Sequence, residues 1–204
     1  MKSNFRIALK NSLIILLIIF TCGFISTDNN TITLEEYKIY DAVIAHYLLR
    51  DIDSNKNIII INTTKFNGDE SPRPGRFYNL IHSDSINTAV FREHVHLNYN
   101  YYPIENKFEK GKSCILIDDF PFKNDTTISI EDGIERYWKD FYIKYPNSIG
   151  KIMFSRPAFD KDGKIAFVYM SNHCGPLCGE GVIFALRKNN SQWEIILREH
   201  LWVS

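Results

Sequence analysis

The sequence predicts a single α+β domain in which a C-terminal helix packs on a four-stranded antiparallel meander. Three observations carry this: a helical segment with an aromatic face, four β-type runs after it, and hairpin signals between the runs. From Ser129 to Tyr145, Ile134, Tyr137, Trp138, Phe141 and Tyr145 share one helical face; Ser129 with Asp132 opens the helix and Pro146 ends it. The strands are read at Lys151–Arg156, Lys164–Ser171, Gly181–Lys188 and Gln192–Val203. Asp162-Gly163 and Asn189-Asn190 mark tight turns that pair sequential neighbours, and one helix over such a meander is a two-layer arrangement.

The earlier elements follow in order. Residues 1–26 carry Lys2, Arg6 and Lys10 with no acid, then the apolar run Leu13–Ile25. A basic leader followed by a short greasy run reads as an export signal or membrane anchor, in one of three versions. A lipoprotein signal would end at Cys22; a secretory signal would be cleaved; an uncleaved anchor would have to stretch about 20 Å of helix across about 30 Å of hydrocarbon. All three place the domain outside the cytoplasm. Residues 27–32 are a polar tether, and 33–204 form the domain. Thr33-Leu34-Glu35-Glu36 is a capping box, with Tyr37, Tyr40, Ile44, Tyr47 and Leu48 on one face of a helix running to about Arg50. Asn57 to Thr63 is a β-branched run suited to a buried strand, and residues 67–76, with two prolines and two glycines, are loop. Ser85 caps a second helix to about Asn98 with Ile86, Ala89, Val90 and Leu97 inward, although Phe91, Val95, Leu97 and Tyr99 also fit a strand face. Ser113 to Ile117 is a strand ending at Asp118-Asp119.

Composition is globular: 45% of residues are apolar and 14% aromatic. The 24 basic and 24 acidic residues balance, and without the three bases of the leader the remainder carries a net charge of −3. A mildly acidic chain without a basic stripe disfavours nucleic acid as a partner.

The chain resembles an uncharacterised family of bacterial exported proteins. The resemblance runs through Tyr37-x-x-Tyr40 and the Ile-rich strand with Thr63, then Trp138-x-x-Phe141-x-x-x-Tyr145-Pro146-x-Ser148-x-Gly150. It continues in Phe154-Ser155-Arg156 with Phe159, Ala166–Tyr169, Gly179-x-Gly181, Leu186-x-Lys188, Trp193 and Trp202-Val203-Ser204. It implies an exported protein and brings no assigned activity. By fold analogy alone, the meander is similar to nuclear-transport-factor-2-like and cystatin-like sheets.

His173-Cys174-Gly175-Pro176-Leu177-Cys178 is the densest chemistry in the chain, at a hairpin tip. Three residues that include Gly and Pro separate the cysteines, and an exported protein meets oxidising conditions, so a Cys174–Cys178 disulfide is expected. The alternative is a copper- or zinc-binding or thiol-redox site using His173, Cys174 and Cys178, since soft thiolates with imidazole suit Cu(I). Cys114 reads as a small buried hydrophobe. His94 and His96 read as solvated, Asp118-Asp119 as a solvated strand end, and Asp160-Lys161-Asp162-Gly163 as a turn and not a calcium loop. Ser155 stands outside any G-x-S-x-G elbow and no histidine partner follows it, while Glu180 is the remaining carboxylate of note. Tyr99, Tyr101 and Tyr102 are a candidate platform for glycan or peptide. No constellation specifies a catalyst, and no cofactor is implied. The expectation is a cell-envelope protein acting as a non-catalytic binding or structural module, attached to the membrane through its N-terminus, with a protein, peptide or glycan ligand. Its rival is an envelope enzyme whose site is assembled from scattered loops.

Overall fold

The computed structural model describes residues 30–51, 56–64, 88–109, 114–119 and 127–204. The leader with Cys22, the loop at 67–76 and the cap at Ser85 lie outside the described residues. Ile32–Ser204 is one compact unit, distinct from Met1–Thr31. Among the described residues no helix is long and apolar enough to cross a membrane.

The elements run α1 (Leu34–Asp51), β1 (Asn57–Ile61), α2 (Thr88–Leu97), β2 (Cys114–Ile117), α3 (Ile130–Lys144), β3 (Ser148–Phe154), β4 (Ala158–Phe159), β5 (Ile165–Gly175), β6 (Cys178–Asn189) and β7 (Gln192–Val203). The capping box forms as its residues dictate: Glu36 N–H donates to Thr33 Oγ1 at 3.3 Å, and Thr33 N–H donates to Glu36 Oε2 at 2.6 Å. At α3, Ser129 Oγ accepts the Asp132 N–H.

The expected two-layer architecture is corrected. A single seven-stranded mixed sheet has the order β2-β1-β3-β5-β6-β7, with β4 paired to β5. β3, β5, β6 and β7 do pair antiparallel in sequence, with tight turns carrying Gly163 at φ 63° and Asn190 at φ 55°. The meander is only one end of the sheet, however, because β1 pairs parallel with both β2 and β3. A period of two reveals a strand but not its partner, and parallel partners are joined by crossovers far along the chain.

Helices cover both faces, giving three layers. On one face α1 buries Ile39, Tyr40, Val43 and Ile44 against Ile58, Ile60, Phe154, Val168, Met170, Val182 and Phe184. On the other, α2 packs Val90, Phe91 and Leu97 over Phe167, Ile183 and Ala185. There too α3 packs Trp138 and Phe141 over Ile59 and Ile117, so it covers the parallel end and does not lie across the meander. The strand alternation explains this assignment: Ile58 and Ile60 point to α1 while Ile59 points to α3. Gly150, at φ 114°, brings β3 so close to β5 that a Cβ there would collide with the His173 carbonyl oxygen.

Candidate functional site

Where β3 ends the chain turns a corner through Ser155, Arg156 and Pro157 into β4, and this corner gathers polar groups inside the protein. Ser155 is fully enclosed and Arg156 nearly so. Ser155 Oγ accepts the Tyr169 N–H at 2.8 Å and lies 2.8 Å from His94 Nε2. Its carbonyl accepts the Tyr40 hydroxyl at 3.1 Å. Asn98, one helical turn beyond His94, grips the next residue by its backbone: Arg156 N–H donates to Oδ1 at 2.6 Å, and Nδ2 donates to the Arg156 carbonyl at 2.9 Å. The Arg156 side chain turns to the α1 face, where Nε donates to Glu36 Oε1 at 2.6 Å and the guanidinium lies 4.2 Å from the centre of the Tyr102 ring. Burial works against the charge on Arg156, but the hydrogen bond it gives to Glu36, the Glu36 charge and Tyr102 together outweigh burial and raise its pKa.

A serine hydroxyl and an imidazole at this spacing have the geometry of an activated nucleophile and its base. Burial lowers the His94 pKa to about 4, so the ring is neutral at physiological pH, as a base must be. Access decides against catalysis: His94 and Ser155 are both 0% exposed. The hydroxyl is occupied by Tyr169 N–H and His94, and Val90, Ala158 and Phe167 are buried in the adjoining cluster. The arrangement locks α2 onto the β3–β4 corner. One sequence expectation is thereby corrected: His94 is buried, not solvated. The histidine that partners Ser155 precedes it by 61 residues and does not follow it. His96 is exposed.

The remaining candidates lie apart from this corner. Cys174 and Cys178 are joined in a disulfide with Cα atoms 5.0 Å apart, at the β5–β6 tip. Tyr142 of α3 donates its hydroxyl to the Cys174 carbonyl at 2.8 Å, and the His173 ring lies 5.2 Å from Trp202. A disulfide sulfur is not a thiolate, so the oxidised tip lacks the soft ligands that the copper or zinc reading needs. Among the described residues no three His, Cys, Asp or Glu side chains converge on a point. Cys114 is buried, and burial first, then Asp41, pushes its thiol pKa up to about 12. Glu180 accepts from Arg198 at 3.3 Å and sits 3.2 Å from His200, so it belongs to the β6–β7 end and not to Ser155. Asp118 accepts from Asn62 and Asp119 from Lys151, each at an exposed strand end. The Asp160 carboxylate is spent on the N–H groups of Lys164 and Ile165 in its own turn. Of the tyrosine platform, Tyr99 and Tyr101 are exposed while Tyr102 is buried under Arg156.

An open cleft lies between α1 and the β6–β7 turn. Its volume is about 200 Å³, and Lys38, Asp41, Glu109, Ser191, Gln192 and Trp193 line it. Asp41 Oδ2 accepts the Glu109 N–H at 3.0 Å and fixes one wall. Beside the cleft, Glu35 meets Lys188 at 2.7 Å, Lys38 at 3.0 Å and the Trp193 indole N–H at 2.8 Å. Partial burial would raise the Glu35 pKa, but these three donors outweigh it and bring it to about 2. Typical small-molecule pockets start near 300 Å³, so the cleft suits one inserted group and not a whole cofactor. No family model, curated protein or solved structure matches this chain, so the functional argument rests on these residues and their geometry.

Proposed function

We propose that this is a bacterial cell-envelope protein whose domain works outside the cytoplasm as a non-catalytic binding or structural module. The observation that carries the non-catalytic reading is the closure of the Ser155–His94 pair, which has nucleophile–base spacing while both residues are 0% exposed. The leader at 1–26 supports the compartment, with lipidation at Cys22, an uncleaved anchor or a cleaved signal as its three forms. So does the disulfide, because paired cysteines persist where thiols are not kept reduced. The resemblance to exported proteins agrees with both. The ligand is a protein, peptide or glycan that places one group in the cleft beside Trp193.

The second reading is a serine hydrolase using Ser155, favoured by the 2.8 Å contact with His94. A fluorophosphonate probe applied to the folded full-length chain separates the two. The binding module leaves Ser155 unlabelled. Stoichiometric labelling that disappears in Ser155→Ala and His94→Gln establishes the hydrolase instead. Cell fractionation tests the compartment, and full-length protein in the cytosol would refute it. Lipid labelling of the Cys22→Ser variant then divides lipoprotein from anchor.

A further inference from the structure

We propose that the His94–Ser155 contact is an acid-sensitive latch: a proton taken up by the buried imidazole releases α2 from the sheet while the sheet itself stays folded. This goes beyond the binding reading and does not depend on it. The starting point is how α2 is held. It is a 10-residue helix in which Val90 is the buried apolar anchor, with Phe91 and Leu97 partly buried beside it. The rest of its grip is polar, through His94 on Ser155 and Asn98 on the Arg156 backbone. Over its described residues this helix buries one apolar side chain, so it depends on such polar bonds more than α1 does, which buries Ile39, Tyr40, Val43 and Ile44.

The groups around the imidazole determine the response to acid. From the β3–β4 corner come the Ser155 hydroxyl and Arg156, whose guanidinium is held by Glu36 on the opposite face of the sheet. From α1 come Tyr40, on the Ser155 carbonyl, and Glu36, already committed to Arg156 and the Thr33 N–H. From β5 comes Tyr169, which gives its backbone N–H to Ser155 and whose hydroxyl accepts from Trp202. On α2 itself Arg92, Glu93 and His96 are exposed. The described side chains packed against α2 are apolar, namely Ala158, Phe167, Ile183 and Ala185, with Glu199 of β7 paired beside Ile183. A cation is costly in such a place, and opening α2 hydrates it.

The sign follows from linkage. The released imidazole regains its ordinary pKa of about 6.5, whereas the docked ring sits at about 4. The released state therefore binds more protons between those values, and docking is full above pH 6.5 and erodes as pH falls towards 4. From pH 7.5 to 4.5 the open population of α2 should rise about 70-fold. Under α1 the sheet presents Val168, Met170, Val182 and Phe184, fully enclosed and apolar, and the His46 ring stands 6.3 Å from the Phe184 ring. Release of α2 would uncover Ala158 and Phe167 and change the surface the domain presents in acid.

Hydrogen exchange on the full chain at pH 7.5 and 4.5, corrected for intrinsic rates, tests this. The expected result is a loss of protection of about 70-fold at residues 90–98 and at the Arg156 amide, which donates to Asn98, with less than about 3-fold change at 182–186. In His94→Gln, which keeps an amide for Ser155 but cannot titrate, the helix should lose its pH dependence. Equal loss across all segments, or an unchanged pH dependence in His94→Gln, would overturn the latch. If that variant does not fold, an NMR titration of His94 in the natural protein decides: a midpoint below pH 5 supports the latch and one above pH 6 removes it.

Discussion

The corner at Ser155–Arg156 and the tip at Cys174–Cys178 both constrain turns of the same sheet by opposite means. The tip is exposed, with Leu177 at 86%, and is closed by one covalent bond between residues four apart. The corner is enclosed and has no covalent tie. It is held by His94, Asn98, Tyr40 and Glu36, all more than 50 residues away in sequence. A local staple limits the turn that contains it, whereas a long-range polar cluster fastens two helices to the sheet, α2 through His94 and Asn98 and α1 through Tyr40 and Glu36. Damage to the corner should therefore reach the distant helix whose bond is lost, and damage to the tip only its own turn.

The largest expected effect is Arg156→Ala, which leaves Glu36 buried without its guanidinium. It should cost about 3–5 kcal/mol in urea unfolding, and the double variant Glu36→Leu/Arg156→Met should recover much of that loss. A loss below about 1 kcal/mol would show that the ion pair does not organise the fold. Next comes Ser155→Ala, which takes a partner from both Tyr169 N–H and His94 and should cost about 2–3 kcal/mol, spread over α2 and β5. Replacing Cys174 and Cys178 by Ser should cost about 2 kcal/mol, the chain-entropy value for so short a loop. Exchange at residues 155–159 should not change in that variant, and if it does the tip and corner are coupled. Smallest is Glu35→Gln beside the cleft: its carboxylate is partly exposed and solvent-screened, so thermal melting should detect less than about 1 kcal/mol.

How much was legible follows the same division between local and distant. The capping box at Thr33–Glu36, the aromatic face of α3 and the turns at Gly163 and Asn190 are local patterns, and the molecule forms each of them. The disulfide was readable for the same reason, since five residues contain all its chemistry. The parallel pairing of β1 with β2 and β3 was not, because nothing in Asn57–Ile61 names strands that lie around 55 and 90 residues on. His94 is an intermediate case. It stands four residues after the buried Val90 and four before Asn98, so the helical period already placed it on the inner face. Its polarity suggests solvent, and its spacing overrules that. Its partner Ser155 lies 61 residues further on, and chain order does not constrain such contacts.

The attachment of α1 carries a consequence for how the chain is made. Glu36 finds Arg156 across 120 residues, and Glu35 finds Trp193 across 158. The first helix of the domain thus meets partners that are synthesised long after it. Contacts this distant reward the chain only after a large loop-closure entropy has been spent, which makes folding slow. During elongation α1 first has only Ile58 and Ile60 of β1 to pack on, and the core under it is completed by Val182, Phe184 and Leu186 of β6 and Trp193 of β7. A nascent chain of this design stays open until β7 has been made, and the compact unit then closes as a whole.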